Sequence, residues 1–383
     1  MRLVRLLLAA AAAVSVSAAL AADLKIGLST SLSGPNSSIG IPYANGMKAS
    51  VALRPEIGGR KVQLIVLDDG SDPSTAARNA RKLVDDEKVD VLMGTSGVPA
   101  ALAISQVGWE SRTPMVGLVP MMPPEGKRDW TVTVAQPADL MIAAVVDRMK
   151  ANGVKTVAYI GYSDAWGDLV YNALMKSTQE QGIKVVTNER FTREDQSING
   201  QILKIIAARP DAVMTGGGGT PGALPYLALQ ERGYKGGLYG QHALINPDFL
   251  RVAGKAADGC LMPTGPVIVA DQPADNPQRK AAEAFRASHL KVVGKPSTDA
   301  FSAYSYDGFM VFADAAQRVL SADKSVEPGT PQFRQALRDA IFHTKEVVGT
   351  HAVYNFKPGD LYGVDKRSRV VVKVDHGGWK LVQ

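Results

Sequence analysis

Short β-branched runs alternate with helix-length amphipathic segments, and the alternation occurs twice along the chain, over about 23–134 and 154–240. Candidate strands are Leu24–Leu28, Val62–Leu67, Val89–Met93, Met115–Val119, Thr156–Ile160, Lys184–Thr187, Ala212–Thr215 and Gly237–Tyr239. A strand followed by a helix and a further strand closes into a parallel sheet with helices on both faces. The fold class is therefore α/β, with two doubly wound lobes, each a mostly parallel sheet flanked by helices. Gln136-Pro-Ala138 is a candidate crossing between lobes, and Pro263-Thr-Gly-Pro266 a second.

Local signals support the helices. Asp72-Pro73 supplies an N-cap and an N1 proline for 74–86, where Ala76, Ala80, Leu83 and Val84 recur at helical spacing. Ser197 is a candidate cap for 198–208. Pro221–Arg232 reads as one helix ending at Gly233, a natural C′ residue. Residues 278–341 read mostly as helix. Val370–Val374 and Trp379–Val382 are strand material around the turn Asp375-His-Gly-Gly378.

The N-terminus carries Arg2 and Arg5, an apolar Ala-rich run and Ala19-Leu-Ala21. That pattern is a cleavable secretory leader over 1–22. The remaining 361 or so residues exceed what one core supports, consistent with two domains. No later apolar run approaches 18 residues, so no membrane span is expected. Cys260 is the only cysteine, so no disulfide forms within the chain. The formal charge of +6 falls to +4 without the leader, and the basic residues are dispersed among acids, which argues against nucleic acid as a partner.

Catalytic and metal-binding patterns are weak. His242, His289, His343, His351 and His376 form no i,i+4 pair, so no metal and no cofactor is expected. Gly161-Tyr-Ser-Asp-Ala165 misses G-x-S-x-G at its last position. Gly217-Gly-Gly-Thr-Pro-Gly222 matches G-x-G-x-x-G, but Gln241 and His242 stand where a dinucleotide site needs an acid.

Repeated loop chemistry at strand ends carries more. Val89–Met93 runs into Gly94-Thr-Ser-Gly97, and Ala212–Thr215 runs into a glycine loop ending at Thr220. Open α/β sheets bind ligands beyond their strand carboxyl ends. Two such loops facing each other offer N–H and hydroxyl donors and little fixed charge, which suits a small carboxylate. Leu118-Val-Pro-Met-Met122 and Trp166 supply candidate apolar walls, with Val119 and Met121 foremost.

The mature chain resembles the leucine/isoleucine/valine-type substrate-binding proteins of ABC importers, of the type I periplasmic-binding fold. The resemblance is carried by Lys25–Pro35, Asp68–Pro73, Gly94–Gly97, Trp166-Gly-Asp168, Gly216–Pro221, Ala228–Tyr234 and Asn246–Leu250. It implies lobes of 23–136 with 266–346, and 137–265 with 347–383, joined by a three-segment hinge. It also implies Ser96 and the Gly97 N–H, beside Thr95, as carboxylate donors, Trp166 as an aromatic wall, and Gly218 and Thr220 as the lining of the second lobe. Several positions depart from the family pattern. His242 stands where the amino-acid binders place a glutamate against the α-ammonium, Met121 where they place a threonine, and Gly218 where they place an aromatic residue. Ser38 and Ile39 fall at a further aromatic contact, and Ser71 at one cysteine of the family disulfide.

The expected function is capture of a small organic carboxylate lacking an α-amino group, an aromatic acid foremost, by a periplasmic monomer that delivers it to ABC permease subunits. His242 is expected to bond a distal polar group or help neutralise the anion. A branched-chain amino-acid binder, a ligand-sensing module and, last, an exported enzyme are the alternatives.

Overall fold

The computed structural model describes residues 22–271 and 278–382. Residues 1–21 of the expected leader lie outside the described residues.

The first lobe opens with β1 (Leu24–Thr30), α1 (Ser37–Leu53), β2 (Glu56–Ile57), β3 (Arg60–Asp68), α2 (Pro73–Asp85), β4 (Val91–Gly94), α3 (Val98–Ser111), β5 (Met115–Gly117) and β6 (Thr131–Thr133). The sheet order is β2-β3-β1-β4-β5-β6. All pairs are parallel except β2–β3. Strands β4 and β5 are buried throughout, as befits strands covered on both faces. The chain adds β3 on one side of β1 and β4 on the other, so the direction of winding reverses between β1 and β4.

The second lobe follows with α4 (Ala138–Ala151), β7 (Thr156–Tyr162), α5 (Ala165–Gln181), β8 (Lys184–Phe191), α6 (Asn199–Ala208), β9 (Ala212–Gly216), α7 (Leu224–Glu231), β10 (Gly237–Tyr239), α8 (Pro247–Ala253) and β11 (Leu261–Thr264). Then come α9 (Arg279–Val293), α10 (Ala300–Ala322), α11 (Pro331–Ile341), the hairpin β12 (Val347–Val348) and β13 (Val353–Tyr354), and finally β14 (Val370–Asp375) and β15 (Gly378–Leu381). The second sheet is ordered β15-β14-β11-β10-β9-β7-β8, with β14 and β15 antiparallel. Its winding reverses between β7 and β9.

Two helix starts differ from expectation. Helix α6 has Ile198 at its N-cap with no side-chain cap bond, so Ser197 does not cap it. The stretch expected as one helix from Pro221 is a 3-10 turn, Thr220–Ala223, followed by α7. Pro225 has no N–H and fits only the first turn of an α-helix, which sets the α start at Leu224. Gly233 has φ +69° as expected of a C′ glycine. Ser38 and Ile39 lie in the first turn of α1.

The segment after residue 346, expected in the second lobe, first packs against the first. Thr350 N (2.5 Å) and His351 N (2.9 Å) donate to the buried Asp307 carboxylate on α10, and Tyr354 Oη does so at 2.8 Å. Thr133 N on β6 donates to Leu361 O at 2.8 Å. Only beyond these contacts does the chain reach β14. Cys260 is buried, its Sγ 3.6 Å from Tyr226 Oη.

Helix α10 is buried along most of its length and crosses α1 at Gly46. A Cβ on Gly46 would lie 2.1 Å from Ser302 O. Alanine is favoured over glycine in a helix by about 1 kcal/mol, but here the overlap is with backbone and cannot be relieved by rotating a side chain. Gly46→Ala is expected to lower unfolding stability by about 1–3 kcal/mol, read from the urea midpoint at constant slope.

Candidate functional site

The two reversal points face one another, and between them lies a cleft with about 420 Å³ of empty space, counting the part open to solvent. Lobe 1 contributes Ser96 and Gly97 after β4, and Val119 after β5. Lobe 2 contributes Trp166 after β7, Gly218 after β9 and His242 after β10.

The loop after β4 is held by polar contacts. Ser96 Oγ accepts from Ser31 N (3.1 Å) and shares a hydrogen bond with Thr30 Oγ1 (2.9 Å). The buried Asp69 carboxylate accepts from Ser31 Oγ (2.6 Å), Ser71 N (3.0 Å) and Thr95 Oγ1. Helix α3 starts at the cavity wall with Gly97 as N-cap and no side-chain cap. Its first-turn N–H groups, apart from Pro99 which has none, are thus available to an anion.

The opposite wall is ordered just as tightly. Trp166 Nε1 donates to Gly217 O (3.2 Å), as does Gln241 Nε2, and Tyr162 Oη donates to Gly218 O (2.6 Å). Trp166 and His242 pack edge to face at 5.4 Å. His242 is buried, and both ring nitrogens lack a hydrogen-bond partner. Burial pushes its pKa down from 6.5 to about 4, so the ring is neutral at pH 7 and presents one donor and one acceptor.

Of the expected site residues, Ser96, Gly97, Ile39, Val119, Trp166, Gly218 and His242 meet at this wall. Four do not. Thr95 points its hydroxyl away to Asp69. Met121 is buried behind the wall, where a Cβ on Gly117 would meet its Cε at 2.5 Å. Ser38 and Thr220 bond each other across the cleft, Thr220 N to Ser38 Oγ at 3.1 Å, and line a neighbouring groove.

Sequence reasoning missed Tyr43 on α1, Phe301 and Tyr304 on α10, and Arg193 beyond β8. The three aromatics come from helices, where period alone reads as core. Arg193 does follow a strand carboxyl end, so the rule used for Trp166 could have found it. Among the described residues, the wall carries this one cation and no aspartate or glutamate.

Two doubly wound lobes enclosing a cavity at both reversal points define a ligand-binding protein of the type I periplasmic class. The chain belongs to the periplasmic binding protein family, whose family model matches residues 23–355. It is 26% identical to the Leu/Ile/Val-binding protein homolog 3 of Brucella melitensis over 325 residues, 82% of this chain and 84% of that protein. An extracellular ligand-binding receptor from Rhodopseudomonas palustris is 39% identical, with a TM-score of 0.90, 94% of this chain covered and 100% of that one. An ABC transporter solute-binding protein from R. palustris, solved in complex with benzoate, shares the fold at 20% identity, with a TM-score of 0.75 and 94% and 95% coverage. Members of this family are periplasmic substrate-binding proteins.

A histidine whose folded pKa lies below its unfolded value costs stability as pH falls through the interval between them. For His242 that interval runs from 6.5 down to about 4. His242→Leu removes this cost. The stability of the wild type relative to the variant is expected to drop by about 2 kcal/mol between pH 7.5 and pH 5, measured by urea unfolding at both.

Proposed function

We propose that this chain is the substrate-capturing subunit of an ABC importer, exported behind the 1–22 leader, and that its lobes close on a small organic carboxylate, aromatic acids being favoured. The observation that carries this reading is the composition of the cavity wall. Apolar and aromatic side chains cover most of it, anion donors lie at Ser96 and the start of α3, and no carboxylate is available for an ammonium. An α-amino group enclosed there would be a buried charge without a partner, which costs several kcal/mol.

In this reading Ser96 Oγ and the Gly97 N–H hold the carboxylate. Trp166, Ile39, Val119 and Tyr43 enclose the ring. His242, neutral and with both nitrogens unpartnered, bonds a polar group at the far end of the ligand. Micromolar affinity corresponds to about 8 kcal/mol, within reach of a few charge-assisted hydrogen bonds and one buried ring. The fold neighbour solved with benzoate supports the scaffold's capacity for an aromatic acid. An aliphatic amino acid is the second reading, favoured by the Leu/Ile/Val-binding relatives. Permease subunits are the expected partners, as for other binding proteins of these importers.

Calorimetric titration with benzoate, cinnamate and leucine separates the two. An aromatic acid is expected to bind near micromolar strength and leucine at least about 100-fold more weakly. Ser96→Ala is expected to weaken the acid about 10- to 100-fold and, by leaving Ser31 N without its buried acceptor, to lower unfolding stability by about 1–3 kcal/mol. Tight leucine binding with no heat from either acid would overturn the carboxylate reading.

A further inference from the structure

Arg193 of lobe 2 touches both lobes at the edge of the cavity. Its Nε (3.1 Å) and Nη2 (2.8 Å) donate to Asp164 Oδ2 within its own lobe. Its Nη1 donates to Asn36 Oδ1 of lobe 1 at 2.9 Å. The guanidinium lies over Tyr162, 4.0 Å from the ring centre.

Each anchor of this side chain leads to a cavity element. Asp164 caps α5 by accepting from Trp166 N (2.9 Å) and Gly167 N (3.1 Å), so it fixes the tryptophan wall. Tyr162 holds Gly218 O through its hydroxyl. Asn36 sits against the anion loop, where a Cβ on Gly97 would lie 3.1 Å from its Nδ2. Asn36 is the N-cap residue of α1 but makes no side-chain cap bond, so its Oδ1 serves Arg193 and not the helix.

Asp164 and Tyr162 neutralise and orient the guanidinium before the lobes meet. Closing therefore adds one charge-assisted hydrogen bond to a preorganised donor, without the cost of burying a new unpaired charge. We propose that Arg193 is the latch of the closed state: a positioning residue that joins the tryptophan wall of lobe 2 to the anion loop of lobe 1 through Asn36 and sets how long the lobes stay closed. An anion seated at Ser96 and Gly97 lies beside Asn36, so ligand charge and the arriving guanidinium reinforce one another. The latch itself rests on the contact between lobes and not on which ligand fills the cavity.

The cross-lobe arm can be removed alone. Asn36→Ala deletes the acceptor and leaves the Asp164–Arg193 pair whole. Closure is read without ligand from the rate of oxidant-driven disulfide formation in a Ser38→Cys, Thr220→Cys background, because Ser38 Oγ reaches the Thr220 backbone N across the cleft and Cys260 is buried. Asn36→Ala is expected to slow the cross-link about tenfold, Arg193→Met as much, and the two together no more than either alone. With cinnamate as probe, koff is expected to rise by the same factor while kon stays within about threefold. An unchanged cross-linking rate in Asn36→Ala overturns the latch, and so do fully additive losses. Failure of cinnamate to bind counts against the carboxylate reading and leaves the outcome of the cross-linking untouched.

Discussion

The cleft depends on one buried carboxylate. Asp69 follows β3, and its oxygens gather Ser31 Oγ after β1, Ser71 N in its own loop and Thr95 Oγ1 after β4. Three strand ends are thus tied to a single acceptor. A buried anion left with fewer donors is expensive, so the loops hold their geometry because any departure strands charge. Asp68 beside it pins the same loop from the solvent side, accepting from Leu32 N, Ser33 Oγ and Gly70 N. Partial burial alone would raise its pKa; these donors outweigh that and lower it. Ser96 and the start of α3 are positioned by this framework.

From that framework the division of labour between the lobes follows. Lobe 1 supplies hydroxyl and backbone donors at the end of a sheet, and lobe 2 supplies Trp166, bonded to Gly217 O of a glycine loop, with His242 packed against its ring. Gly218 leaves the space that a side chain would fill, with Ala243 Cβ already 3.3 Å from where its Cβ would stand. The helices α1 and α10 then close the cavity with Tyr43, Phe301 and Tyr304. Tyr304 also donates to Gln136 Oε1 (2.5 Å) between the lobes and stacks on His351 at 3.8 Å, so the wall and the inter-lobe segment share one ring.

The α/β class, the eight strands and the two strand-end loops are legible from period and turn chemistry, because both are local. Asp72 capping α2 through Thr75 N (2.7 Å) is such a local signal. Ser197 fails as a cap because a serine near a helix start says nothing of whether its hydroxyl reaches the first turn. Met121 and Thr95 sit beside the cavity in sequence but face away from it. Both lie beyond a strand end, where the alternation of sides no longer holds: Leu118, Val119 and Pro120 all line the cavity, while Thr95 turns to Asp69 and Met121 packs against Gly117. Tyr43, Phe301 and Tyr304 are invisible to pattern because a helix stripe facing a ligand and one facing core have the same spacing. The change of lobe comes later than residue 346 because Asp307 draws Thr350 and His351 onto α10, and no local pattern reports a contact between such distant positions.

Cys260 has a practical consequence. Burial pushes its thiol up to about 12, with Tyr226 Oη pulling weakly the other way. Attack on a disulfide needs the thiolate, so at neutral pH this sulfur is inert toward exchange with oxidised neighbours. The fold therefore matures with no oxidoreductase and no shuffling step, and its native sulfur chemistry is silent. Any cysteine placed on its surface would be the only reactive thiol in the molecule, which makes the chain a clean scaffold for a site-specific optical reporter of lobe motion.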